Sequence, residues 1–202
     1  MISADAIMRL HDRLVTQWHE AGSITVDGQS DGFLERVAQQ HGANFELWHI
    51  EDEARRPGAS DAELADVKRR IDATNQRRND GVEELDQALL EFLAPSGLPN
   101  PEAELHSETP GLMIDRLSIL SLKIYHTREE ACREDGPAGH IERNCARLVI
   151  LEEQRSDLAA CLDSLWGEIV GGKRRFKLYR QMKMYNDPSL NPAIYSKGGG
   201  AR

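Results

Sequence analysis

A chain of 202 residues with 40% hydrophobic and 29% charged residues is long enough for one good core and marginal for two. Its formal charge of −9 excludes a general affinity for nucleic acid or for an anionic membrane, so any anion site must reverse that field locally. No apolar run approaches the ~18 residues of a membrane span, and Met1–Asp5 lacks a basic stretch leading into an apolar one, so the expectation is a soluble, cytoplasmic protein.

Aromatic residues are 5% of the chain and β-branched runs are scarce, which favours helix over strand. The first helix is predicted from Ala4 to Glu20, with Ile7, Leu10 or His11, Leu14 and Trp18 at helical spacing and Gly22 ending it. A polar loop over Gly28–Gly32 follows. Asp31 caps a second helix whose apolar positions are Leu34, Val37, Phe45, Trp48 and Ile50, with Gly42 a point of interruption and Pro57-Gly58 a stop. Ser60 and Glu63 form a capping box opening a third helix, which runs to Leu93 and halts at Pro95-Ser96-Gly97. Thr109-Pro110 reads as cap and first residue of a fourth helix, 110–133. A fifth covers 139–170, its stripe being Ile141, Cys145, Leu148, Leu158, Leu162, Leu165 and Ile169, and Gly171-Gly172 stops it. A short basic helix from Lys173 to Met184 is expected next. The chain is therefore read as all-α: a bundle of four to five long antiparallel helices plus a short basic C-terminal helix. Residues 1–187 form one domain and 188–202 an extended or mobile tail. Cys132, Cys145 and Cys161 have no metal-type spacing and are expected to be reduced, buried thiols.

The informative feature is polar residues on apolar stripes. The third helix reads Leu64, Val67, Ile71, then Asn75 and Arg78, then Val82, Leu85, Leu89 and Phe92, with spacings of three and four throughout. Asp72, Gln76 and Asn79 lie beside the two polar positions. On the second helix Phe45 and Trp48 lead to Asp52 and Arg55. The fourth is apolar nearly all round over 112–125, leaving Asp115, Arg116 and Lys123 little surface to reach. A buried, unpaired charge costs several kcal/mol, so these groups must meet one another, a ligand or water. Two outcomes stand: an ion-pair network that fixes helix register, or a ligand site inside the bundle. His49 with Asp52 or Glu53 could share a metal face, although a hydrogen-bonded histidine is the commoner role.

Between Lys173 and Lys183 lie six basic residues and no acidic one, interleaved with Phe176 and Tyr179. Guanidinium forks suit phosphate and an aromatic face suits a sugar or base; the competing reading is a basic helix packed on the protein's own acidic surface. Met184-Tyr185-Asn186-Asp187-Pro188 reads as a tight turn.

Leu47-Trp48-His49-Ile50-Glu51-Asp52 with Ala54-Arg55, Lys68-Arg69 with Ile71-Asp72, Asn75-Gln76 and Arg78-Asn79-Asp80 together resemble the bacterial family known as domain of unknown function 4254. So do Ser107-Glu108-Thr109-Pro110-Gly111, Ile114-Asp115-Arg116-Leu117-Ser118-Ile119-Leu120, Leu122-Lys123-Ile124, and the closing Lys183-Met184-Tyr185-Asn186-Asp187-Pro188 with Leu190-Asn191-Pro192, so the similarity covers about residues 30–195. The resemblance implies a place beside glycosyltransferases of the lipopolysaccharide and capsule type, which is association and not mechanism, and it implies no catalytic residue.

Three functions follow as expectations. The first is binding or processing of a phosphate-bearing sugar or nucleotide sugar in cell-surface glycan assembly. Asp52, Asp72 and Asp115 are then the candidate catalytic acids, bases or metal ligands. The candidate binding residues are His49, Arg55, Lys68, Asn75, Arg78, Asn79, Arg116, Lys123, Arg175, Arg180, Lys183, Tyr185 and Asn186. The second is an all-helical nucleotide pyrophosphatase holding Mg²⁺ on Glu51, Asp52, Asp72, Asp80 and Glu108. The third is a non-enzymatic adaptor for a glycosyltransferase. Metal use and oligomeric state stay open at this level.

Overall fold

Three of the five α-helices among the described residues start on a Ser or Thr side chain that satisfies an orphan N–H group. The computed structural model describes residues 2–26, 32–182 and 189. Helix α1 (Ala4–Ala21) begins where Ser3 accepts a hydrogen bond from the Ala6 N–H and ends at Gly22, whose φ of 63° is left-handed. Helix α2 (Gly32–Glu53) follows; the Asp31 cap expected for it lies outside the described residues. Helix α3 (Asp61–Leu93) opens on the full Ser60–Glu63 capping box. Helix α4 (Pro110–Ala131) is capped by Thr109 and starts on proline, and helix α5 (His140–Val170) closes the bundle.

Helix α4 has a second cap, supplied by a neighbour. The Gly111 N–H donates to Asp86 of α3 at 2.7 Å. A Cβ at Gly111 would stand 2.7 Å from that carboxylate oxygen and 2.8 Å from the Val82 carbonyl, so only glycine lets the start of α4 abut α3 this closely. Burial pushes the Asp86 carboxyl up to about 6, partly offset by hydrogen bonds from Thr109 and Gly111.

Helices α2 and α3 run antiparallel. Glu53 pairs with Arg70, Glu46 with Arg77, and Gln40 lies against Gly81, so partner numbers rise as their counterparts fall. Helix α4 packs against each of the other four, most extensively α5. Its Ile114, Leu117, Leu122 and Ile124 are fully buried, and around them lie Ile7, Val15 and Trp18 of α1, Val37 of α2, Leu85 of α3, and Leu162 and Ile169 of α5. No helix among the described residues is long and apolar enough to cross a membrane.

The structure corrects four expectations. The basic segment is not a helix. Glu104–Leu105 (β1) and Arg174–Arg175 (β2) form a two-residue parallel pair, and the chain continues without helix to residue 182. Phe176 is buried there, Arg174 pairs with Glu104 and Glu168, and the Arg175 Nε–H donates to the Ala103 carbonyl at 2.8 Å. Anchoring in the protein's own surface thus overrides the helical pattern. The three cysteines are free and exposed, on the outer side of α5 and at the end of α4. Helix α2 passes through Gly42 unbroken, because a Cβ there would press on Ile24 at 3.3 Å and Trp18 at 3.7 Å; the glycine serves packing. On the expected stripes, Leu64, Phe92 and Ile141 are exposed; Phe92 lies beside Trp166 of α5 while its neighbour Leu93 takes the buried position. The expected tail from Pro188, Ser189 apart, lies outside the described residues.

Candidate functional site

Asp115 is the hub of the polar groups inside the bundle. It follows the α4 cap by less than two turns and points into the seam between α2 and α3, almost completely buried. Arg78 of α3 donates through Nε at 2.8 Å and through Nη2 to the two carboxylate oxygens, a bidentate fork. Gln40 donates to the same carboxylate at 2.5 Å and Asn44 at 2.9 Å, both from α2. The Asn44 amide also donates to Ser118 Oγ at 2.9 Å, and Ser118 Oγ hydrogen-bonds His41 Nδ1 at 2.6 Å. Since Ser118 already accepts from Asn44, its hydroxyl proton is free to go to His41 Nδ1. Three helices are thereby joined through one carboxylate that accepts four hydrogen bonds, three of them at Oδ1.

The network ends on stacked rings. His11 of α1 lies on His41 with centroids 4.4 Å apart, and Trp18 covers the same imidazole at 5.3 Å. His11 is fully buried with neither ring nitrogen bonded among the described residues. Burial drives both histidines toward the neutral form, His41 to about 3 and His11 well below its usual value, the latter also through His41 and Arg155. The seam is thus a buried, neutral stack of rings leading to a bidentate ion pair, with His41 Nε2 and Gln40 Oε1 also buried and without a partner among the described residues.

A groove of about 440 Å³ opens where the seam meets the surface. Asn44 and Arg78 lie on its inner side, Trp48 and Leu47 form one wall, Ile119 and Leu122 the other, and Glu51, Asp52 and Arg55 stand at the rim. Arg78 is about a quarter exposed, and among the described residues its Nη1 makes no hydrogen bond. Arg55 pairs with Glu51 at 3.1 Å and Asp52 at 3.6 Å, all three largely solvent-facing.

A second cluster adjoins it through Trp48. The indole stacks on His126 of α4 with centroids 4.8 Å apart and planes 6° from parallel. His126 faces His19 of α1 and His49 of α2, the three rings meeting edge to face with centroids 5.0 to 5.8 Å apart. Tyr125 stacks on His19 and Phe45 touches both His19 and His49. Burial lowers His49 and His126. Neighbouring histidines lower His49 further, while the Glu129 carboxylate pulls His126 back up.

The expected site residues therefore divide. Arg78 and Asp115 join as anticipated. His49, Arg55 and Asp52 gather around Trp48, but Asp52 and Arg55 are exposed and not part of the buried seam. Asp72 is exposed and paired with Lys68 on its own helix. Asn75 is half-buried and Asn79 buried, the latter accepting from Gln181 at 3.2 Å. Arg116 pairs on the surface with Glu108 at 2.6 Å and shares a separate cavity with Lys123. Arg175 is spent on Ala103, Arg180 is exposed, and Lys183, Tyr185 and Asn186 lie outside the described residues.

Gln40, His41, Asn44, Ser118, His11, His19 and His126 were not singled out from the sequence as site residues. For the seam a signal exists: His41 stands four after Val37 and four before Phe45, and Ser118 is three after Asp115. For His19 and His126 the convergence is tertiary, one residue from each of three helices, and no local spacing announces it.

A family model described as protein of unknown function (DUF4254) matches residues 34–178. The match spans well over half of the chain, which belongs to that family. It contains α2 to α5, so His41, Asp115, His49 and His126 lie within it, while His11 and His19 precede it. No curated protein and no solved structure matches the chain.

Proposed function

We propose that the groove beside Trp48 binds a phosphate-bearing sugar or nucleotide sugar used in cell-surface glycan assembly. The observation that carries this reading is one cavity combining a half-buried indole, two guanidinium groups and two carboxylates. Indole faces pack on sugar rings and bases, guanidinium forks take phosphate oxygens, and carboxylates accept from sugar hydroxyls. A volume of about 440 Å³ falls in the range of roughly 300–1,000 Å³ common to small-ligand sites. Arg78 is rigidly held by Asp115 and keeps Nη1 for a ligand, which is positioning at little entropic cost. Titration calorimetry with a panel of nucleotide sugars and sugar phosphates, with and without Mg²⁺, tests it. At least one should bind, and Trp48→Ala and Arg55→Ala should each weaken that binding about tenfold, near 1.4 kcal/mol. Absence of binding across the panel contradicts the reading.

An adaptor role for a glycosyltransferase is the second reading. It is favoured by the four hydrogen bonds that Asp115 accepts from α2 and α3, which suit a register lock, and by exposed Ile141, Val149 and Ile150 on α5. Charged replacements at Val149 and Ile150 should abolish co-purification with the enzyme while leaving small-ligand binding intact. The pyrophosphatase reading gains no support, since Asp52, Asp72, Asp80 and Glu108 bond basic or amide neighbours and do not face one another.

A further inference from the structure

We infer that His19, His49 and His126 form a three-histidine site for a divalent transition metal, best matched by Zn²⁺, with an exchangeable fourth position. One candidate ligand atom from each lies within 4.8 Å of the other two, and among the described residues no other group of three His, Cys, Asp or Glu side chains converges in this way. Around a tetrahedral zinc at ~2.0–2.1 Å, imidazole nitrogens stand about 3.4 Å apart. The cluster must contract by no more than ~1.5 Å, which small side-chain rotations provide.

The hydrogen bonding already prepares the ligand atoms. His19 Nδ1 lies 2.7 Å from the Val15 carbonyl, which can only accept, so the proton sits on Nδ1 and Nε2 keeps its lone pair. His126 Nδ1 lies 2.9 Å from Glu129 Oε2, which fixes the same tautomer. Both Nε2 atoms are buried and have no partner among the described residues. A ring whose far N–H is tied to a carbonyl or carboxylate while its other nitrogen is left unmet is the usual second shell of a histidine metal ligand. A buried imidazole nitrogen with no partner is otherwise a cost, and here two such costs face each other with a third histidine between them.

The rings are held, and a cavity borders two of them. Tyr125, Trp48 and Phe45 each pack on one of the three histidines, restricting their rotamers. A cavity of about 410 Å³ between the end of α1 and α2 is lined by His19 and His49, with Glu46, Glu53 and Arg70 on its walls, while the Nε2 atoms of His19 and His126 are buried beneath the surface. Three protein nitrogens leave one position of a tetrahedral ion for water or a substrate oxygen, the ligand number of catalytic and not structural zinc. This inference does not depend on what the groove beside Trp48 binds.

The test uses the full chain free of any affinity tag, stripped with EDTA and dialysed against Zn²⁺ with a competing chelator. One Zn²⁺ per chain is expected. His19→Ala, His49→Ala and His126→Ala should each weaken binding at least 100-fold, and Glu129→Gln about 10- to 100-fold as a second-shell change. No stoichiometric binding, or a loss below tenfold in any of the three histidine variants, overturns the assignment. Should a variant fail to fold, Co²⁺ added to the wild-type chain decides. Visible d–d bands of a four-coordinate ion without thiolate charge transfer support the site, whereas their absence, or thiolate bands from the exposed cysteines, overturn it.

Discussion

Two polar clusters lie side by side in this bundle, and they differ in how their polar atoms are arranged. Around Asp115 the charge is paired, Arg78, Gln40 and Asn44 converging on one carboxylate, while Gln40 Oε1, His41 Nε2 and both His11 nitrogens are scattered along the seam, buried and without a partner among the described residues. Around His19, His49 and His126 one candidate ligand atom from each ring lies within 4.8 Å of the other two, two unmet buried nitrogens belong to these rings, and a cavity borders His19 and His49. Both clusters draw on helices around α4, and both contain neutral histidines. The difference teaches that polarity inside a helical bundle does not by itself mark a site. A charge paired by its neighbours locks its helices together; ligating atoms that converge on one point are where chemistry can enter.

The sharpest way to break this comparison is to damage the lock. Asp115→Ala strands the Arg78 guanidinium and should cost about 3–5 kcal/mol in urea unfolding. Replacing Arg78, Asp115, Gln40 and Asn44 together by Met and Leu should recover most of that loss, because no charge is then left unpaired. A full loss in the fourfold variant would mean that the network does more than fix register.

Asp86 extends the comparison to the start of α4. Its folded value, about 6, exceeds its ordinary 3.8. The penalty on its charged form is therefore complete above about pH 6 and disappears below 3.8, so this group favours the fold as pH falls. Asp86→Asn keeps the oxygen that Gly111 donates to and removes the titration. Relative to that variant, wild type should gain up to about 3 kcal/mol between pH 7 and pH 4. A flat difference would contradict the buried, raised carboxyl.

The buried histidines act with the opposite sign. His11 and His41 have lowered folded values, so the unfolded chain takes up protons that the fold excludes. Stability is lost as pH falls below 6.5, over a window reaching to about 3 for His41. His11→Phe preserves a ring on His41 and removes one titrating group. It should flatten the fall in stability below pH 6.5; an unchanged slope would show that His11 is not held neutral.

Much of the frame was readable in advance. The Ser60–Glu63 box, Thr109-Pro110 and Gly22 place helix ends because they act locally on orphan backbone groups. Arg78 and Asp115 were legible because a charge on an apolar stripe must find a partner. The basic segment misled, since the pairing of Arg174–Arg175 with Glu104–Leu105 depends on residues about 70 positions apart. The histidine cluster was illegible for the same reason: His19, His49 and His126 sit singly on three helices, and only the packing of α1, α2 and α4 brings them together.

The central claim is that the Asp115 seam is a lock and the three histidines are a binding centre. It is tested most directly by measuring unfolding free energies of Asp115→Ala and His49→Ala with and without Zn²⁺. The account predicts that Asp115→Ala is destabilised by about 3–5 kcal/mol in either condition and retains the stabilising effect of Zn²⁺. His49→Ala should lose less than about 1 kcal/mol without metal, as expected for a half-buried side chain, and gain nothing from Zn²⁺. If Zn²⁺ stabilised His49→Ala as much as wild type, or if His49→Ala without metal were as damaging as Asp115→Ala, the distinction would be contradicted.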